Sequence, residues 1–65
     1  MTPGELVRER RMELGWSQAR LATAAATTQA VVSRIERGEA SPTVDMLLRL
    51  AQAMGTELSL TLVPH

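Results

Sequence analysis

The hydrophobic residues of this chain follow a helical period over most of its length and change to alternation near its end. In TTQAVVSRIERG, Thr27 to Gly38, Ala30, Val31, Val32 and Ile35 are apolar, while Gln29, Ser33, Arg34 and Arg37 recur at helical spacing. This predicts an amphipathic helix with a threonine hydroxyl at its start and Gly38 as its stop. Upstream, Thr2-Pro3-Gly4-Glu5 has the capping-box form, with proline at the first helical position and glutamate three residues after the cap. The first helix is expected to run to about Leu14 and stop at Gly15, with Leu6, Val7, Arg11 and Leu14 on one side. Ser17 can cap a short second helix whose inward residues are Leu21, Ala22 and Ala25. Ser41-Pro42 repeats the cap-then-proline pattern before a fourth helix. There Val44, Leu47, Leu48, Ala51 and Met54 lie at helical spacing, ahead of Gly55.

The tail TELSLTLVP changes period: Leu58, Leu60 and Leu62 alternate with Ser59 and Thr61, a strand pattern. A lone strand leaves its backbone donors and acceptors unpaired, and no other segment reads as its partner. The same strand from a second copy, antiparallel across a two-fold axis, would pair it. The pattern therefore predicts an all-α compact bundle of four to five helices in residues 1–55. Residues 56–65 would form a strand that joins two copies through Leu58, Leu60 and Leu62.

Composition narrows the ways such a domain can be held together. A chain of 65 residues buries only ~60% of its unfolded surface and is marginal without help. There is no cysteine and a single histidine, His65, which reads as a terminal residue rather than a ligand, so neither disulfides nor a metal is expected. Association of copies is the remaining stabiliser. No run approaches the ~20 apolar residues that span a bilayer, so no membrane is expected. MTPGELVRERR lacks the apolar core of a signal peptide, and the expected address is cytoplasmic, at the nucleoid.

Zero net charge argues weakly against a nucleic-acid partner, but its distribution reverses that reading. Between Ser17 and Gly38, Arg20, Arg34 and Arg37 face only Glu36, a local excess of +2, whereas Glu39 onward carries −2. The chain shows no nucleophile–base set, paired carboxylates or phosphate loop, so a binding role without a cofactor is expected rather than catalysis.

SQARLATAAATTQAVVSRIERG has the layout of a helix-turn-helix, in which two short helices cross steeply and the first needs a small residue at the crossing. Ala22 meets that need, and Leu21, Val32 and Ile35 supply the apolar wedge. Gln29, Ala30, Ser33, Arg34 and Arg37 are left outside, on a helix that a DNA major groove can admit.

On these residues the chain resembles the phage-repressor/Cro family, also called the xenobiotic-response-element family. The shared features are Ser17-Gln18, Leu21-Ala22, VSRIERG from Val32 to Gly38, and a proline-initiated helix ending in Met54-Gly55. The resemblance implies a DNA-binding regulator of double-stranded DNA, acting as a homodimer on an inverted repeat. It implies a phosphate contact at Gln18 and base or backbone contacts at Thr27, Thr28 and Gln29. Ala30, Ser33 and Arg34 would be further outward readers, and Arg37 would lie near a phosphate. Arg11 and Glu36 match a structural pair that bridges the first helix to the end of the third.

Two residues depart from the family pattern. Ala26 stands in the turn where glycine is usual, and Arg10 occupies a place that is often apolar, with its stem expected to reach solvent. Trp16, Met12, Met46 and Met54 are read as core. The alternating tail also resembles antitoxins paired with HipA-type kinases, the HipB-like reading, which would add a toxin protein as partner. The competing reading is a protein-interaction module that uses this fold without binding DNA.

Overall fold

The computed structural model describes residues 1–64; His65, read above as a terminal residue, lies outside the described residues. Four helices form: α1 (Pro3–Glu13), α2 (Gln18–Ala24), α3 (Gln29–Glu36) and α4 (Val44–Ala53). Each begins at a hydroxyl residue in extended backbone whose oxygen accepts the amide three residues on. The pairs are Thr2 with Glu5, Ser17 with Arg20, Thr28 with Val31 and Thr43 with Met46, at 3.0 to 3.3 Å. The last pair corrects the expectation that Ser41-Pro42 starts α4. The cap is Thr43, and Pro42 stays half-buried in the connection.

All four helices also end alike. The amide two residues past the cap returns to a carbonyl five positions back: Trp16 to Arg11, Thr27 to Ala22, Glu39 to Arg34 and Thr56 to Ala51. This closure needs a left-handed residue just before the returning amide. Gly38 fills that place after α3, at φ +74°; after α2 it is Ala26, at φ +55°. An L-residue there costs about 1–2 kcal/mol, so the turn between α2 and α3 is the strained one.

The core is Val7, Leu21, Ala22, Ala25, Val32, Ile35, Leu50 and Met54, ringed by Leu14, Trp16, Val31, Met46, Leu47 and Ala53. Leu21, Val32 and Leu50 are completely enclosed, each contributing about 1.5–3 kcal/mol of transfer free energy. The inward residues expected of α2 and the Val32–Ile35 wedge of α3 are all buried. In α4 the expected face is displaced: Leu50 is enclosed, while Val44 and Leu48 are exposed. Both sides of this helix are apolar, so periodicity alone does not choose between them. Met12, read as core, is 57% exposed, and Leu6, placed on one side of α1 with Val7 and Leu14, is 55% exposed while Val7 is buried.

Gly4 sets the approach of α1 to α3. It is buried, and a Cβ built there would lie 2.0 Å from the Ile35 carbonyl oxygen. Arg10 is half-buried, its side chain partly in solvent and partly turned onto α4. Its Nε and Nη2 donate to the carbonyl of Met54 at 3.3 and 3.2 Å, closing the C-terminus of α4 with a cation. Among the described residues there is no strand; residues 56–64 run without a ladder, as a single copy supplies no pairing edge. Leu58 is half-buried beside α1 and α4, whereas Leu60 and Leu62 are exposed.

Candidate nucleic-acid interface

The surface of interest is built from α2, the Ala26 turn and α3. Threonine fixes where α3 begins: Thr28 Oγ1 accepts the Val31 amide, leaving the hydroxyl hydrogen free to donate outward. Thr27 is half-buried, and its amide closes the end of α2 on Ala22 at 2.8 Å. From that start, Val32, Ile35 and Glu36 turn inward. Gln29, Ala30, Arg34 and Arg37 are exposed and Ser33 is half-buried, so these five share the outer side of one short helix.

The two arginines on this side are held differently. Arg34 Nε donates to the Ala30 carbonyl one turn back, at 3.3 Å, and its terminal nitrogens take no hydrogen-bond partner among the described residues. Arg37 Nη2 lies 2.8 Å from Glu39 Oε2, with both side chains more than half exposed. An ion pair this exposed is worth little and is easily exchanged for another anion.

Behind the surface lies a buried polar cluster. Arg11 Nε and Nη2 donate to Glu36 Oε2 and Oε1 at 2.7 and 2.9 Å, and its Nη1 donates to the Trp16 carbonyl at 2.7 Å. Gln18 Nε2 donates to Glu36 Oε1 at 3.2 Å. The Glu36 side chain is only 2% exposed. Burial pushes its carboxyl pKa up, but hydrogen bonds from Arg11 and Gln18, with the charges of Arg11 and Arg8, outweigh burial and hold it below the ordinary value. The hydrogen bond to Glu36 raises the Arg11 pKa. Gln18, implied by the resemblance to meet a phosphate, thus has its amide nitrogen turned inward, which fixes the side chain at the start of α2.

Three contacts here are not legible in the sequence, those of Glu39, of Arg20 with Trp16, and of Arg49. Glu39 was counted only as part of the acidic end, yet it partners Arg37. Trp16 reads as core and does pack at its edge, but its ring also carries the Arg20 guanidinium 4.6 Å from the centroid. Arg49 reaches from α4 to the α2–α3 turn, where its Nε donates to the Ala25 carbonyl at 3.1 Å and its Nη2 to the Ala26 carbonyl. The unusual Ala26 was the available signal for a brace at this place; which residue supplies it was not legible.

Two short helices joined by a left-handed turn, the second with its polar side outward, define a helix-turn-helix domain. A helix-turn-helix family model matches residues 7–60, and the chain belongs to that family, in its Cro/repressor branch. It is 36% identical over 58 residues to the HTH-type transcriptional regulator SutR of Escherichia coli K12, covering 89% of this chain and 33% of SutR. An uncharacterized HTH-type transcriptional regulator of Methanothermobacter thermautotrophicus is 38% identical over 52 residues, covering 80% of this chain and 75% of that protein. A similar regulator of Haemophilus influenzae is 38% identical over 50 residues, 77% of this chain and 51% of that one. The chain thus spans about a third of SutR and about half of the Haemophilus protein. Among solved structures, the P22 c2 repressor in complex with a synthetic operator superimposes with a TM-score of 0.80 at 32% identity, covering 88% of this chain and 86% of that one. These relatives are named as transcriptional regulators and a repressor, none as an enzyme.

Proposed function

We propose that this chain is a sequence-specific DNA-binding regulator, a repressor, that acts as a homodimer on an inverted-repeat operator. The observation that carries the reading is the division of α3: Val32, Ile35 and Glu36 lock it inward, and Gln29, Ala30, Ser33, Arg34 and Arg37 remain outward. Arg34 can give two parallel hydrogen bonds to guanine O6 and N7, and Gln29 can pair with adenine N6 and N7. Ala30 suits a thymine methyl, and Ser33 can pair with either kind of base edge. Gln18, Thr27, Thr28 and Arg37 lie on the elements that would meet phosphates, with Arg37 exchanging Glu39 for the backbone. The similarity to a repressor solved on operator DNA supports the same use of α3.

Exposed Leu60 and Leu62, with Leu58 beside them, supply the strand through which two copies would pair, at residues 56–65. Two α3 helices would then enter successive major grooves ~34–36 Å apart. A gel shift on duplex DNA from the protein's own promoter, at two salt concentrations, tests the reading. The expected result is a discrete complex that outlasts a scrambled duplex of equal length and weakens as salt rises. Equal binding to both duplexes, or none, overturns it.

The antitoxin reading adds a protein partner to the same regulator. It is favoured by exposed apolar residues that lie off α3: Leu6 on α1, Val44 and Leu48 on α4, and Leu60 and Leu62 on the tail. Co-purification with the product of the adjacent gene tests it. A chain that binds protein partners but no duplex would instead be an interaction module on this fold.

A further inference from the structure

We propose that Arg49 is the positioning residue for the reading helix: from α4 it holds the left-handed turn at Ala26 and so sets where α3 begins. The inference rests on the DNA-binding reading only for its consequence, not for its geometry. All four helices close with the same pair of returning amides, but α2 does so on an alanine at φ +55°. At this turn, and on both sides of the strained residue, the carbonyls of Ala25 and Ala26 accept from one guanidinium. The donor comes from more than twenty positions away, so the contact is a feature of the tertiary fold rather than of the turn. Small side chains leave room for this reach: Ala24, Ala25, Ala26 and Ala53 line a shallow hollow together with Arg49 and Gln52.

The last carbonyls of α2 carry the negative end of its dipole, and a cation placed there is favourable. Ala26 intrinsically disfavours its conformation, so without the brace the turn has a competing, relaxed backbone state. Thr28, the cap that begins α3, lies two residues beyond Ala26, and any relaxation of the turn rotates the whole reading surface. Arg49 therefore does for Ala26 what a glycine would do by itself.

The test is a double-mutant cycle of Arg49→Met, which keeps the stem and removes the donors, with Ala26→Gly, which removes the strain. Amide chemical shifts of Thr27 to Val31 and hydrogen exchange at the Thr27 amide report the turn without DNA. Arg49→Met is expected to move those shifts and speed that exchange about fivefold to tenfold. In the Ala26→Gly background the same change is expected to be within about twofold of no effect. A duplex enriched by the wild-type chain from a random pool, compared with a scrambled one, reads the consequence: preference falls in Arg49→Met and returns on adding Ala26→Gly. Equal effects of Arg49→Met in both backgrounds, or unmoved shifts, overturn the proposal. If the wild-type chain enriches no duplex, the DNA reading fails, and the shifts and exchange still decide Arg49.

Discussion

Arg11 grips Glu36 through two parallel hydrogen bonds of 2.7 and 2.9 Å, and this contact ties α1 to the end of α3. Nearly all of the carboxylate is enclosed, so the pair owes its place to completeness: Glu36 is satisfied by Arg11 and Gln18, and Arg11 also by the Trp16 carbonyl. Removing one partner leaves the other buried and unpaired. Glu36→Ala is expected to cost about 3 kcal/mol, the low end for a buried pair because Arg11 keeps the Trp16 carbonyl. Denaturant unfolding of the variant measures this. For a domain of this size such a loss takes a large share of the total stability.

The same pair makes stability depend on pH. The folded Glu36 pKa lies below its ordinary value, so its contribution is fully present above the unfolded glutamate pKa and is lost as pH falls through the folded one. Acid titration of the unfolding free energy should therefore show a decline that begins near the ordinary carboxylate range, about pH 4. Glu36→Gln should flatten that part of the profile, and an unchanged profile would count against the assignment.

Gly4→Ala should destabilise the fold, against the usual gain from replacing glycine inside a helix. Alanine is intrinsically favoured there by about 1 kcal/mol. However, its Cβ would sit 2.0 Å from the Ile35 carbonyl oxygen, a backbone atom that moves only with α3. A net loss of about 1–3 kcal/mol is expected from the forced shift, read as a lowered thermal midpoint. Chemical shifts at the end of α3 should move with it.

Arg34→Ala and Glu39→Ala should act on DNA binding in opposite directions. Arg34→Ala is expected to cost about 1–3 kcal/mol and to relax preference at one base pair per half-site. Glu39→Ala releases Arg37 and removes a negative charge, so affinity should rise for all sequences alike. Binding isotherms on operator and scrambled duplexes separate the two effects.

Replacing Leu60 and Leu62 together with aspartate should leave the folded subunit intact, because both residues are exposed. The proposed pairing of tails should fail, giving a monomer by light scattering and weaker operator binding. A dimer that survives the double substitution places the interface elsewhere.

Much of the fold was legible because its signals are local. Hydroxyl caps act over three residues and the helix stops over five, so Thr2, Ser17, a threonine before α3 and the glycine after it could be read from neighbours alone, while the structure selects Thr28 over Thr27. The start of α4 falls two residues after Ser41 because Ser41 and Thr43 both offer a capping hydroxyl, and only the folded backbone shows Thr43 accepting the Met46 amide. Leu50 was missed for a related reason: α4 is apolar on more than one side, and the pattern does not say which side meets α2. The outward residues of α3 followed from its period, but the partners of its arginines did not.

The sequence by itself determined the four helices, the helix-turn-helix layout and the polar outer side of α3, because each depends on period or on groups a few residues apart. The tertiary structure alone decided that Arg10 closes α4 from 44 positions away and that Gly4 permits the α1–α3 approach. It also decided that Arg49 braces Ala26 from 23 positions away. Such contacts arise from how helices pack, and a guanidinium on a flexible stem can reach many carbonyls until packing leaves it one or two.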